Sequence, residues 1–172
     1  SMGITGDVVL KTTGRVSVKD AFVKPELDVK AFESADLNVD VTLANNTDKT
    51  VKGILTVSYE NGTASVPVSV PAGGTKVRLT PEEMGMLHIE KPRVWWTWDL
   101  GTPELYHMNV SFTEGGRLSD NRNVRFGVRS ITSEVKDNFR QFFLNGRRVL
   151  VKGAGWTPEL LLRHTPASNL LQ

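Results

Sequence analysis

The chain has 172 residues, enough for one full hydrophobic core, and its 39% hydrophobic and 23% charged content is that of an ordinary globular domain. Cysteine is absent, which excludes disulfides, thiolate metal sites and thiol nucleophiles together. A net charge of +2 is too small to make nucleic acid a default partner, and no apolar run approaches the ~20 residues that cross a bilayer. Ser1-Met2 reads as a cloning remnant ahead of native sequence.

From there the chain reads as strands. Val16, Val18 and Phe22-Val23 supply an opening strand. Leu37, Val39, Val41 and Leu43 alternate with polar residues, the period-two pattern of a strand with one dry face. A turn at Asn45-Asn46-Thr47-Asp48 leads to Leu55, Val57 and Tyr59 on one face. Asn61-Gly62 suits the two positive φ values of a type I′ hairpin, which returns Ala64, Val66, Val68 and Val70 facing inward. Pro67 lacks an N–H and marks that strand as an edge.

After a turn at Pro71 to Gly74, Val77 and Leu79 continue the alternation. Thr80-Pro81-Glu82-Glu83 has the cap, proline and acid of a helix start, and Gly85 is expected to stop it after one turn. Tyr106, Met108, Val110 and Phe112 form the next inward row, turned at Glu114-Gly115-Gly116, and Val124, Phe126 and Val128 the last. Short strands, frequent turns and no long helix predict an all-β, immunoglobulin-like antiparallel sandwich over residues 15–132.

Beyond Ile131 the character changes. Gln141 to Leu144 and Arg147 to Val151 flank Asn145-Gly146, the strongest hairpin signal in the chain. Helix starts follow at Thr157-Pro158-Glu159 and Thr165-Pro166, and the sequence stops about two turns into the second. That ending is expected where a longer chain has been cut, with residues 133–172 belonging to a different module.

Few residues suggest chemistry. Acid–base catalysis needs a close carboxylate pair. Glu82 and Glu83 are explained by the dipole of a short helix, and Asp120, Glu134 and Asp137 read as turn acids. His88, His107 and His164 lack metal-ligand spacing, and His107 faces outward by alternation. Gly153-Ala154-Gly155 lacks the third glycine and the βαβ unit of a dinucleotide site. The arginine-rich last third lacks the aromatic interleaving of a nucleic-acid face. Trp95-Trp96-Thr97-Trp98 is the most unusual stretch. It reads either as a plug packed between domains or as a stacking platform for a sugar in a stand-alone binding module.

In order, the landmarks resemble family 2 glycoside hydrolases. Pro92-Arg93-Val94-Trp95-Trp96 with Leu100-Gly101-Thr102-Pro103-Glu104-Leu105-Tyr106 is similar to the family's "P-x-x-WW…G-x-x-x-LY" stretch. Phe126-Gly127-Val128-Arg129 is similar to the "FG[IV]R" strand that closes its immunoglobulin-like domain. Phe143-Leu144-Asn145-Gly146, continuing to Lys152-Gly153, resembles the approach to its catalytic barrel, and Gly3 to Val8 the exit from its sugar-binding domain. Gly153-Ala154-Gly155-Trp156-Thr157-Pro158-Glu159-Leu160-Leu161-Leu162-Arg163 resembles exo-β-D-glucosaminidases, and Trp156-Thr157-Pro158 also fits β-mannosidases.

The resemblance implies three segments. Residues 1–14 are the remnant and a linker from a sugar-binding domain, 15–132 the sandwich, and 133–172 the hairpin and truncated start of a (β/α)8 barrel. It implies an exported parent, periplasmic or secreted, that hydrolyses an oligosaccharide without a cofactor, using two carboxylates ~5–5.5 Å apart beyond residue 172. No catalytic residue falls within the chain on this reading, and no metal, nucleic acid or membrane is called for. The first barrel strand is expected near 149–153, with Trp156 just past its end lining the sugar pocket. Trp95, Trp96 and Trp98 are expected to pack the sandwich against the sugar-binding and barrel domains.

Overall fold

The computed structural model describes residues 7–153 and residue 155. The chain divides into two compact units, Thr13–Leu150 and a second drawn from Ser1–Thr12 and Val151–Gln172. The helix starts expected at Thr157 and Thr165, and Trp156, lie outside the described residues.

The first unit opens with β1 (Val16–Leu27), β2 (Ser34–Asn45), β3 (Val51–Tyr59), β4 (Gly62–Val70) and β5 (Thr75–Leu79). A short β6 (His88–Glu90) precedes the long strands β7 (Tyr106–Glu114) and β8 (Arg117–Phe126). They form two antiparallel sheets, ordered β1-β2-β5 with β6 beside β2, and β4-β3-β7-β8. This is the immunoglobulin-like sandwich the alternation predicts. Leu37, Val39, Val41 and Leu43 from one sheet are buried with Leu55, Val57, Met108, Val110 and Phe112 from the other. Burying each such side chain contributes roughly 1.5–3 kcal/mol, so this double row carries most of the fold. Gly53 is required beneath Phe112, because an added Cβ would stand 2.4 Å from the ring.

Two bulges adjust the alternation. In β1 the register shifts between Val18 and Asp20, so Val16 and Val18 face inward but Ala21 and Val23 take over after it. Phe22 is thereby turned out and is 58% exposed. The β7–β8 register shifts after Phe112, where Asp120 is buried opposite it. Asp120 is no exposed turn acid: its carboxylate accepts from the N–H of Val18 at 2.8 Å and of Asn121 at 2.9 Å. Beside it, the Ser119 hydroxyl accepts from the Val16 N–H at 3.1 Å and donates to the Val16 carbonyl at 2.6 Å. These side chains tie an edge strand of one sheet to an edge of the other, supplying the partners that its unpaired backbone needs.

Two local expectations are corrected. The first hairpin pairs Tyr59 with Gly62, leaving Glu60 and Asn61 as the loop. Gly62 has φ +135°, and Asn61 is not among the residues at positive φ. This register sets Val51 opposite Val70, both buried, and places the Val70 carbonyl 2.9 Å from the Asn45 carboxamide N–H. The helix expected at Thr80 is a single turn, with the Met84 N–H on the Thr80 carbonyl at 2.9 Å. It ends before Gly85, as expected, but Gly85 then opens a 3₁₀ turn, Gly85–Leu87, with Met84 and Leu87 both buried in the core.

A three-stranded antiparallel sheet completes the unit, from β9 (Ile131–Lys136), β10 (Phe139–Leu144) and β11 (Arg147–Val149), in the order β11-β10-β9. Its second turn is the expected one: Leu144 pairs with Arg147, with Asn145 at φ 49° and Gly146 at φ 76°. Its first turn, Asp137-Asn138, has φ values of 52° and 65° and carries no glycine to announce it. The strand expected to run to Val151 ends at Val149, and residues 150–153 form no strand.

Candidate functional site: the tryptophan loop

The tryptophans sit on a loop whose backbone is fixed at successive points. Val94 bridges Val128 in parallel and Trp95 bridges Pro103 antiparallel. The Trp95 N–H donates to the Val128 carbonyl at 2.9 Å, and the Trp96 N–H to the Thr102 carbonyl at 3.0 Å. The N–H groups of Leu100 and Gly101 both donate to the Thr97 carbonyl, at 2.9 and 3.0 Å. Two glycines make this possible. A Cβ on Gly127 would lie 2.8 Å from the Trp95 Cβ, and one on Gly101 would lie 3.0 Å from the Trp96 Cβ. The glycines of both sequence landmarks are therefore the floors on which Trp95 and Trp96 rest.

The indoles do not stack on one another. The Arg129 guanidinium lies 4.3 Å from the centroid of Trp95, a cation–π contact that occupies that ring. Trp96 meets Phe32 at a centroid distance of 6.3 Å and an interplanar angle of 57°. Trp95 and Trp96 are half-buried, whereas Trp98 is 87% exposed. The structure thus packs Trp95 and Trp96 against separate partners and leaves Trp98 exposed. Nothing in this arrangement supports the other reading of the sequence, a stacking platform for a sugar.

Beside the loop, Arg93 organises a polar knot. Its N–H donates to the Tyr106 hydroxyl at 2.7 Å, and its guanidinium lies 4.5 Å over the Tyr106 ring. The same guanidinium pairs with Glu60 at 3.0 Å and approaches Glu104 at 3.6 Å. Tyr106 also stacks on Phe126 at 5.4 Å, and its burial raises the pKa of its hydroxyl. Both carboxylates thus face the same cation.

The residue that sequence reasoning missed is Asn145. Its side chain is buried, accepts from the Ser130 N–H at 2.8 Å and donates to the Trp95 carbonyl at 2.9 Å. Its own N–H donates to the Ser130 carbonyl at 2.8 Å. The turn of the β10–β11 hairpin is thereby clamped to the tryptophan loop. Asn-Gly announces the turn, but only the choice of Asn over other turn formers hints at the clamp.

Elsewhere, Glu82 and Glu83 are exposed, and a hydrogen bond from the Thr80 hydroxyl holds the Glu82 carboxyl below its usual range. That keeps Glu82 ionised and unsuited to donate a proton. His107 is exposed, as the alternation predicts, and His88 pairs with Asp36 at 2.6 Å. Among the described residues, no group of three or more His, Asp or Glu is arranged to hold a metal.

These features define a class: an immunoglobulin-like sandwich with a glycine-floored tryptophan loop, clamped to a following hairpin. The family described as glycosyl hydrolases family 2 matches residues 16–129, and the chain belongs to it. An exo-beta-D-glucosaminidase of Streptomyces avermitilis is 37% identical over 95% of this chain and 18% of its own length. That of Amycolatopsis orientalis is 30% identical over 100% of this chain and 16% of its own. The crystal structure of the Amycolatopsis orientalis exo-chitosanase CsxA superposes with a TM-score of 0.79 at 28% identity, covering 95% of this chain and 19% of that one. The chain spans less than a fifth of the length of these relatives.

Proposed function

We propose that this chain is a non-catalytic scaffold within a larger glycosidase, fixing a sugar-binding domain relative to a (β/α)8 barrel. The clamp from Asn145 to Trp95 is the observation that carries this reading. It makes the sandwich and the hairpin leading toward the barrel one piece, which is what a spacer between two working domains requires. Relatives named exo-beta-D-glucosaminidase match nearly all of this chain over a small part of their own, which supports the same reading.

The parent then removes β-linked glucosamine units from oligosaccharide ends with retention, its nucleophile and acid/base carboxylates lying beyond residue 172. Trp156 lines its sugar pocket, while Trp95, Trp96 and Trp98 pack the sandwich against the neighbouring domains. Residues 1–14 are the linker from the sugar-binding domain, and the parent is exported. The test is an assay of this chain with chromogenic β-glucosaminides and β-mannosides. No release above the uncatalysed rate is expected; specific, saturable turnover would overturn the reading.

A further inference from the structure

The chain holds two Asn-Gly pairs, and the fold gives them opposite surroundings. Asparagine before glycine is chemically labile. The glycine backbone nitrogen attacks the side-chain carboxamide carbon, forming a new C–N bond. The original carboxamide C–N bond breaks, and ammonia leaves carrying the glycine's proton. Water then opens the cyclic imide at either carbonyl, leaving aspartate or isoaspartate. The reaction needs a carboxamide free to rotate onto the next nitrogen, a following residue without a side chain, and water.

Asn61-Gly62 has the glycine and the access to water. Asn61 is exposed in the two-residue loop between β3 and β4, and β4 is the edge strand of its sheet. A Cβ on Gly62 would find nothing nearer than the Met86 Cβ at 3.9 Å, so there is open space beside the Gly62 Cα. The Asn61 carboxamide bonds the Tyr59 hydroxyl, a contact that it must release before it turns onto the Gly62 nitrogen. Asn145-Gly146 shares the glycine but lacks the free carboxamide and the access to water. Asn145 is 3% exposed, and both ends of its carboxamide are fixed, to the Ser130 N–H and the Trp95 carbonyl. For Asn145 to react, the clamp must first open.

We infer that Asn61 is a spontaneous deamidation site of the folded protein and that the tertiary clamp protects Asn145. Conversion places a carboxylate beside Glu60, which already pairs with Arg93 at 3.0 Å. The isoaspartate product also lengthens the backbone of a two-residue loop, loosening the tip of the β3–β4 hairpin.

The test is to hold the folded protein at mildly alkaline pH, digest it, and follow both peptides by mass and by isoaspartate content. A parallel sample is kept unfolded in urea. Conversion at Asn61 is expected to outpace Asn145 by about tenfold or more in the folded protein, and to match it within about twofold in urea. Equal conversion of the two in the folded protein would overturn the inference. So would an unconverted Asn61 in the folded protein when urea allows both to react.

Discussion

The carboxamide of Asn145 reaches across fifty residues of sequence to donate to the backbone carbonyl of Trp95 at 2.9 Å. Its oxygen accepts from Ser130, so one side chain joins the end of the sandwich, the tryptophan loop and the hairpin turn. Replacing Asn145 by glycine keeps the turn, since glycine tolerates the φ of 49°, and removes only the clamp. A part-buried N–H and a part-buried carbonyl lose their partners, at a cost of about 1–3 kcal/mol. The urea midpoint should fall and tryptophan fluorescence should report a looser Trp95. An unchanged midpoint would mean that the clamp contributes nothing.

Gly127→Ala drives a methyl to 2.8 Å from the Trp95 Cβ, with no flexible tip to give way. Strain of about 1–3 kcal/mol is expected, as for other overpacked sites. Gly85→Ala is the matched control, because nothing lies within 4 Å of the added Cβ and no positive φ is needed there. Thermal unfolding of the two variants should separate them clearly, with Gly85→Ala within about 0.5 kcal/mol of the parent.

The chain has two tyrosines, Tyr59 and Tyr106, so its tyrosinate absorbance reports these two alone. Burial raises Tyr59 from the ordinary 10.0 to about 12, and burial also raises Tyr106. A raised folded pKa means that folding favours the protonated phenol. The corresponding stability is present below pH 10 and is lost as pH climbs toward about 12. The folded protein should therefore titrate later than the urea-unfolded chain. Tyr59→Phe should flatten the alkaline fall in stability while costing about 1 kcal/mol at neutral pH, since it deletes the hydrogen bond to the Met86 carbonyl. Coincident titrations would contradict this.

Trp98 is 87% exposed, so Trp98→Ala should leave the stability of this chain within about 0.5 kcal/mol of its starting value. On the proposed scaffold role, in which this indole packs against a neighbouring domain of the full-length parent, the same change should lower the parent's unfolding temperature. Equal, negligible effects in both would remove Trp98 from the interdomain contact.

The sandwich was legible because its central strands are buried on one face only. The run from Leu37 to Leu43 alternates without a break, and the structure buries every second residue of β2. The bulge at Lys19 had no such signal, since an extra residue in a strand swaps the faces of the residues after it without changing composition. β9 went unread because Ile131–Lys136 is exposed on both faces and thus lacks hydrophobic periodicity. Its turn uses Asp137-Asn138 at positive φ without a glycine, a weaker sign than Asn-Gly. At the tryptophan loop, residue order pointed to the family. The separation of half-buried Trp95 and Trp96 from exposed Trp98 depends on which glycines lie beneath them in three dimensions.

The central claim is that this chain works as one scaffold segment of a much larger glycosidase. An antibody raised against it, used to blot fractions of the source cells, measures the native polypeptide directly. The chain's match to 18% of the Streptomyces avermitilis relative predicts a band about five times the 19.0 kDa of this chain. A band at 19.0 kDa would contradict the account and leave the sandwich to act alone.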